Sequence, residues 1–258
     1  MAAGLPRRVR ADLLLVERGL FESRARAQAA IAAGLVSADG VVLRKASETI
    51  PVTAAIAAQA AHPYVSRGGV KLAAALDAFG FDPAGLTCLD VGASTGGFSD
   101  VLLRRGAEHV YAVDVGQAQL HPTLRGHPRL TSLESQDIRS LDAGLFAQAP
   151  ALAAIDVSFI SLKLVLPAVA TLLAPRARLV ALVKPQFETR RSALKKGVLR
   201  DEALQQQICA EIAAVAAGLG FAVSGPITSP IEGGDGNREF LLGGERADQL
   251  AITASTSA

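Results

Sequence analysis

Between residues 66 and 243, short runs of β-prone residues alternate with longer helical patterns, and this alternation limits the possible folds more than any other feature. Leu86–Val91, Val110–Asp114, Leu152–Val157, Arg178–Lys184 and Phe221–Ser224 read as strands. Leu130–Leu133 is a further strand-like run, and Phe240-Leu241-Leu242 is a candidate last strand. Helical patterns such as 160–174 and 201–217 lie between them. Strand–helix alternation of this kind builds a mostly parallel sheet with both faces covered, so an α/β fold is expected. A core for it is available: 50% of the 258 residues are hydrophobic and 19% charged, which excludes a disordered chain. Aromatics make up only 4% and Trp is absent, so that core must be aliphatic. The longest uncharged stretch, 212–231, is broken by Gly218, Gly220, Gly225 and Pro226 and reads as a buried helix running into a strand, not a membrane span. No secretory signal is visible at the N-terminus, and Cys88 and Cys209 sit in apolar runs, as buried thiols of a reducing, cytoplasmic compartment would. Four scattered histidines show no ligand spacing, so no metal site is expected.

The net charge of +2 hides an asymmetry, because residues 1–71 carry ten Lys/Arg against five Asp/Glu. A basic front on a near-neutral body suggests an appendage that binds a polyanion. Asp12 is expected to open a first helix with Leu13, Leu14 and Val16 as its apolar side, ended by Gly19. Ser23 is the expected N-cap of a second, closed by Gly34, with Arg24 and Arg26 in its anion-attracting first turn. Asp39-Gly40 between Leu35-Val36 and Val41-Val42-Leu43 predicts a hairpin. The pattern Ser-Arg-x-x-Ala-x-x-x-Ile-x-x-Gly-x-Val at 23–36 resembles the RNA-binding module shared by ribosomal protein S-four, pseudouridine synthases and tyrosyl-tRNA synthetases. Asp39 stands where that module commonly has Asn. The resemblance implies RNA contacts from the front; Arg10, Arg24, Arg26, Lys45 and Arg67 are the candidates. Residues 49–65, with Pro51, Pro63 and many alanines, read as a linker.

Leu89-Asp90-Val91-Gly92-Ala93-Ser94-Thr95-Gly96-Gly97-Phe98 reads as a strand, a glycine-rich turn, and a helix starting at Gly97. The glycines fit neither Gly-x-Gly-x-x-Gly nor the Gly-Lys-Ser/Thr of a phosphate-cradling loop. Asp-x-Gly-x-x-x-Gly-Gly-Phe instead resembles the S-adenosylmethionine loop of class I methyltransferases, which implies that Asp90, Gly92, Ser94, Gly96, Gly97 and Phe98 form the cofactor loop. The ligand carries an ammonium and a sulfonium, so an acid near the turn, Asp90, suits it. Asp114, ending the second strand, could accept from both ribose hydroxyls, and Asp137, after the third, from the adenine amino group. Taken singly, each acid could be an ordinary loop carboxylate.

Asp156 ends the fourth strand, Lys184 the fifth, and Glu239 begins the last, while Lys71 lies in a helix ahead of the first. Amine methyltransferases often have Asn/Asp-Pro-Pro-Tyr/Phe at the fourth strand end. Asp156-Val157-Ser158-Phe159 lacks the prolines, which argues against an adenine or cytosine amine as target. Two lysines and two acids suit a hydroxyl nucleophile, since a lysine whose pKa is lowered by its neighbours can remove the proton. Lys184, in an apolar run without an obvious partner, would be the base or the group that stabilises the alkoxide, with Lys71, Asp156 and Glu239 positioning it. A solvated helix lysine and a rim salt bridge are the plain alternatives for Lys71 and Glu239.

The order Lys71, Asp156, Lys184, Glu239 resembles the catalytic tetrad of FtsJ-type ribose 2′-O-methyltransferases. Tyr64-Val65-Ser66-Arg67-Gly68-Gly69-x-Lys71-Leu72, Val183-Lys184-Pro185-Gln186-Phe187-Glu188 and Asn237-Arg238-Glu239-Phe240 together resemble the haemolysin A (TlyA) family over nearly the whole chain. The resemblance implies a class I, Rossmann-like methyltransferase using S-adenosylmethionine, with ribosomal RNA as partner and a cytidine 2′-hydroxyl as target. It implies an RNA-binding domain at 8–60, a linker at 61–65 and a methyltransferase domain at 66–245; the polar, small residues that follow read as a disordered tail at 246–258. The linker reads Ala61-His62-Pro63-Tyr64, where some members carry an aromatic-rich one. Two other readings stand beside it: a haemolysin or membrane-acting protein, and an RNA-binding protein with an inactive methyltransferase fold.

Overall fold

The computed structural model describes residues 7–233 and 236–247. The chain divides into two units, Met1–Pro63 and Tyr64–Ala258. In the first, β1 (Arg8–Arg10) leads into α1 (Ala11–Glu17), followed by α2 (Arg24–Ala32), β2 (Val36–Ala38), β3 (Val41–Val42), β4 (Thr49–Pro51) and β5 (Ile56–Ala58). Ser23 Oγ accepts from the Arg26 amide at 3.3 Å and so caps α2, and Gly34 follows the helix at φ +72°. The expected hairpin forms: Ala38 pairs with Val41, and Asp39 and Gly40 both have positive φ, as a tight two-residue turn requires.

Two expectations for this unit fail. Residues 49–58 are not linker, because β4 pairs with β1 and β5 with β2. On α1 the buried side is Ala11, Asp12, Leu14 and Leu15, with Leu13 exposed. The buried stripe starts two residues earlier than an apolar count suggests because Asp12, a charged residue, belongs to it. Its carboxylate accepts from Arg10 (2.9 and 3.0 Å), Arg24 (2.9 Å) and Gln28 (2.8 Å), and these bonds offset its burial. Arg10 holds its carboxyl well below the usual carboxylate range.

The second unit opens with α3 (Gly68–Phe79), then β6 (Thr87–Val91), α4 (Gly97–Arg104), β7 (His109–Val113), β8 (Leu130–Leu133), β9 (Leu152–Ile155), α5 (Leu162–Leu172), β10 (Ala177–Val183), α6 (Pro185–Glu188), α7 (Glu202–Gly218), β11 (Ala222–Thr228) and β12 (Phe240–Arg246). The strands form one sheet in the order β11-β12-β10-β9-β6-β7-β8. β8, β7, β6, β9 and β10 run parallel, whereas β12 is antiparallel to both β10 and β11. Central strands covered on both sides read as unbroken apolar runs, and all five residues of β6 are buried. Leu72 and Leu76 of α3 and Val101 and Leu102 of α4 pack with Val180 and Leu182 on one face. Val165 and Val169 of α5 and Ile208 and Ile212 of α7 cover the other, with Leu179 and Val183. Both thiols are buried and free; burial pushes Cys88 up to about 12 and Cys209 to about 11. Arg246, expected to begin the tail, is instead the last residue of β12, and its guanidinium donates to the carbonyls of Ala170 and Ala174. The rest of the expected tail, from 248, lies outside the described residues.

Candidate active site

The chain runs outward from β6 to β7 and β8, then returns to β9 on the other side of β6. Ligands of doubly wound sheets bind at such a reversal, beyond the carboxyl ends of the strands. A cavity of about 520 Å³ lies there, walled by Gly92, Ser94, Asp114, Asp137, Asp156 and Phe159 among others. Its size falls in the range of small-ligand pockets.

Of the expected loop residues, Gly92 and Ser94 reach this wall, while Asp90, Gly96, Gly97 and Phe98 lie behind it. Gly92, at φ +82°, passes so close to β9's end that a Cβ would run into the Asp156 carbonyl oxygen. Gly96, at φ +85°, packs beneath Leu120 and Leu124, and Gly97 lies against Ser66 Oγ. Phe98 is a core residue. Asp90 is fully buried. Its Oδ2 accepts from Ser99 N (2.8 Å) and Ser99 Oγ (2.6 Å), and its Oδ1 has no hydrogen-bond partner. Burial first, with Asp156 and Asp114 adding repulsion, pushes this carboxyl up to about 7.

Asp114 follows β7, and backbone amides orient it: Gly116 N donates to Oδ1 at 2.6 Å and Ser94 N to Oδ2 at 2.8 Å. Gln119, which the sequence reading missed, lines the cavity and meets Ser94 Oγ at 3.0 Å. Asp137 also lines the wall, but Arg139 engages both its oxygens at 2.6–3.1 Å and holds its carboxyl down to about 2.

Strand register gathers the four remaining candidates. Val183 pairs with Phe240, so Lys184 and Glu239 stand opposite each other one step beyond the last paired residues, facing the same side. Ala181 pairs with Ile155, which gives Asp156 the facing of Leu182 and Lys184. That is the side on which α3 packs, and Lys71 of α3 bonds Glu239 through its Nζ and Oε2. Lys71 and Glu239 are both buried. Lys184 is not unpaired, as its apolar run suggested: its Nζ lies 2.6 Å from Asp156 Oδ1 and donates to Ser158 Oγ at 2.8 Å. The Asp156 contact is an ion pair without hydrogen-bond alignment, since Oδ1 has no hydrogen-bond partner. The site therefore holds two separate cation–anion pairs, not one lysine set against another. Ser158 was missed because nothing local marks a hydroxyl that serves a residue 26 positions away.

Phe159 was quoted within a motif but given no role. It is 90% exposed, has φ +63°, and packs against Phe187 with ring centroids 4.8 Å apart and the ring planes tilted by 50°. Lys184 Nζ lies 6.0 Å from the Phe187 centroid. An exposed aromatic held in the left-handed region beside a cavity points to recognition of a ligand, since burial cannot account for it.

The RNA-binding candidates fall in both units. In the first, Arg10 and Arg24 share the buried Asp12, Arg26 bonds Glu22 and the His62 carbonyl at 3.5 Å, and Lys45 is exposed. In the second, Arg67 is exposed at the start of α3.

Residues 64–246 match the FtsJ-like methyltransferase family. The chain is 44% identical over 237 residues to the putative rRNA methyltransferase YqxC of Bacillus subtilis, covering 90% of this chain and 84% of that one. It is 42% identical over 241 residues to the 16S/23S rRNA (cytidine-2′-O)-methyltransferase TlyA of Mycobacterium tuberculosis, covering 92% and 90%. A solved structure of a putative hemolysin from Streptococcus thermophilus superposes with a TM-score of 0.73 at 42% identity, over 95% of this chain and 90% of that one. A match of this extent, over a sheet and site of this geometry, makes the chain a member of the FtsJ-like methyltransferase family.

Proposed function

We propose that the protein transfers the methyl group of S-adenosylmethionine to a ribose 2′-hydroxyl of ribosomal RNA, with cytidine as the nucleoside. The observation that carries this reading is the pair of ion pairs, Lys184–Asp156 and Lys71–Glu239, on one side of the sheet beside the glycine loop. The relatives that cover most of the chain carry rRNA methyltransferase names.

The residues present fit the cofactor. The cavity is of suitable volume, and Gly92, Ser94, Asp114 and Gln119 line it with backbone and polar groups suited to a nucleoside. Asp114, already oriented by two amides, would accept from ribose hydroxyls, with Ser94 and Gln119 beside it. Asp137 would meet the adenine amino group only if Arg139 gave up part of its hold. When bound, the cofactor supplies an electrophilic methyl carbon on a positively charged sulfur.

Lys184 touches the reacting hydroxyl. Asp156 and Ser158 fix its Nζ, so the nitrogen meets the 2′-oxygen in one orientation. As the new O–C bond forms and the C–S bond breaks, the hydroxyl proton leaves. Lys184 either takes that proton as an amine or, as an ammonium, holds the alkoxide while the proton passes to water. Lys71 and Glu239 are positioning residues, since their buried pair faces Lys184 across the β10–β12 register. Phe159 offers an open ring face on which the nucleobase can stack, which typically contributes about 1–3 kcal/mol per base.

Transfer of tritiated methyl to isolated small subunits, large subunits and naked ribosomal RNA, followed by mapping of the labelled sugar, tests the proposal. Label on a 2′-oxygen is the expected result. Label on a base, or none on any of the three substrates, refutes it.

A further inference from the structure

The second unit carries a concentration of charge that the overall balance conceals. Residues 72–258 hold fewer Lys/Arg than Asp/Glu, yet Arg190, Arg191, Lys195, Lys196 and Arg200 fall within eleven residues that contain no acid. All five are exposed, and none makes an ion pair or a side-chain hydrogen bond among the described residues. Elsewhere in this unit exposed cations commonly have partners: Arg104 has Asp100, Arg139 has Asp137, Arg238 has Glu202.

The segment is built into the fold at both ends. At its start, Glu188 accepts from Ser161 Oγ and from the Leu162 amide at 2.7 Å, which ties α6 to the beginning of α5. At its end, Asn237 accepts from the Leu199 amide and donates to the Gly197 carbonyl, each at 3.0 Å, while Leu199 is buried in the core. Between them, Lys195 and Val198 exchange backbone bonds around a tight turn whose tip is Lys196, at φ +52°, followed by Gly197 at φ +81°. A lysine in the left-handed region is conformationally costly, and here it puts an ammonium at the apex. The segment starts three residues after Phe187, which packs against Phe159 at the mouth of the cavity.

We infer that the basic hairpin 190–200 is a second RNA-docking surface, on the catalytic unit itself, that grips backbone phosphates next to the nucleotide being modified. The inference rests on RNA being the substrate of the neighbouring site. Five unpaired cations without interleaved acids suit a repeated phosphate ligand. An anionic membrane is a poorer occupant, because the segment has only the three-residue 3-10 turn Arg191–Ala193, no amphipathic α-helix, and no exposed large apolar side chain to insert.

The test uses the full chain carrying Arg190→Gln, Arg191→Gln, Lys195→Gln and Lys196→Asn together. Asn suits the left-handed turn, and none of the four side chains makes an ion pair or a side-chain hydrogen bond among the described residues that the fold would lose. Affinity for protein-free ribosomal RNA is measured across potassium chloride concentrations, beside methyl transfer by the unaltered protein and binding to vesicles of 30% phosphatidylserine. The expected result is a loss of about tenfold or more in RNA affinity at 0.1 M salt and a fall of about 2–3 in the log–log salt slope, with S-adenosylmethionine affinity unchanged by calorimetry. RNA affinity and slope equal to those of the unaltered protein overturn the inference, as does loss of vesicle binding alone. A reduced slope in a protein that never methylates RNA would leave the docking surface standing and reject the reaction instead.

Discussion

Lys184 shows how little of a side chain's chemistry its neighbours in sequence reveal. Its apolar run hides its partners, Asp156 and Ser158, which lie more than 25 positions earlier at another strand's end. If it meets the reacting oxygen, Lys184→Ala should lower methyl transfer by about 100- to 10,000-fold, the usual range for general-base assistance, and leave S-adenosylmethionine affinity within a few-fold. Full activity in the variant would remove it from the chemistry. Asp90 gives a pH signature. Its native carboxyl is raised to about 7, so the folded protein binds this proton more tightly than the unfolded chain does. Its contribution to stability is therefore fully present below about pH 4 and is lost as the pH rises towards about 7. Denaturant midpoints at pH 5, 6, 7 and 8 should fall more steeply for the unaltered protein than for Asp90→Asn. Parallel slopes would show that its burial is compensated. That Asp90 is a core residue could not be read locally, since a strand-end acid is as often exposed. Lys71 left a faint trace: on a helix its place is on the side of Leu72, Ala75 and Leu76, all of them buried.

Elements were legible where their signal is local. The Asp39-Gly40 hairpin, the Ser23 cap and the helix beginning at Gly97 follow from backbone preferences of a few residues, and each is found. β4 and β5 were not legible because each is three residues long, too short for an alternation to appear, and each is held by a strand far away in sequence. Glycines make the same distinction. Gly34 and Gly92 both have positive φ, but a Cβ on Gly34 meets open space and one on Gly92 meets the Asp156 backbone. Gly34→Ala should cost about 1 kcal/mol, the strain of a left-handed alanine. Gly92→Ala should cost more, about 2–4 kcal/mol, and should also cut methyl transfer by displacing Asp156. Equal denaturant midpoints for the two variants would show that the glycine loop does not depend on that close approach.

At the scale of the whole molecule, the first unit holds its own small core, with Leu14, Leu15, Ile31 and Val36, and the second has its sheet filled on both faces. Removing residues 1–60 should therefore leave S-adenosylmethionine binding intact, weaken RNA binding and flatten its salt dependence. Salt slopes identical with and without these residues would mean that the catalytic unit docks alone. Among the described residues no helix is long and apolar enough to cross a membrane. The sequence alone determined the α/β class, the glycine loop, and the three charged residues at strand ends, Asp156, Lys184 and Glu239, because periodicity, turn chemistry and the ends of strands are properties of short segments. Only the tertiary structure decided which charge pairs with which, that Asp90 lies behind the cavity wall, and that Phe159 stands open beside Lys184. Those depend on strand register and on helices packed from distant parts of the chain, and the burial and Coulomb energies that set them exist only once the sheet has closed.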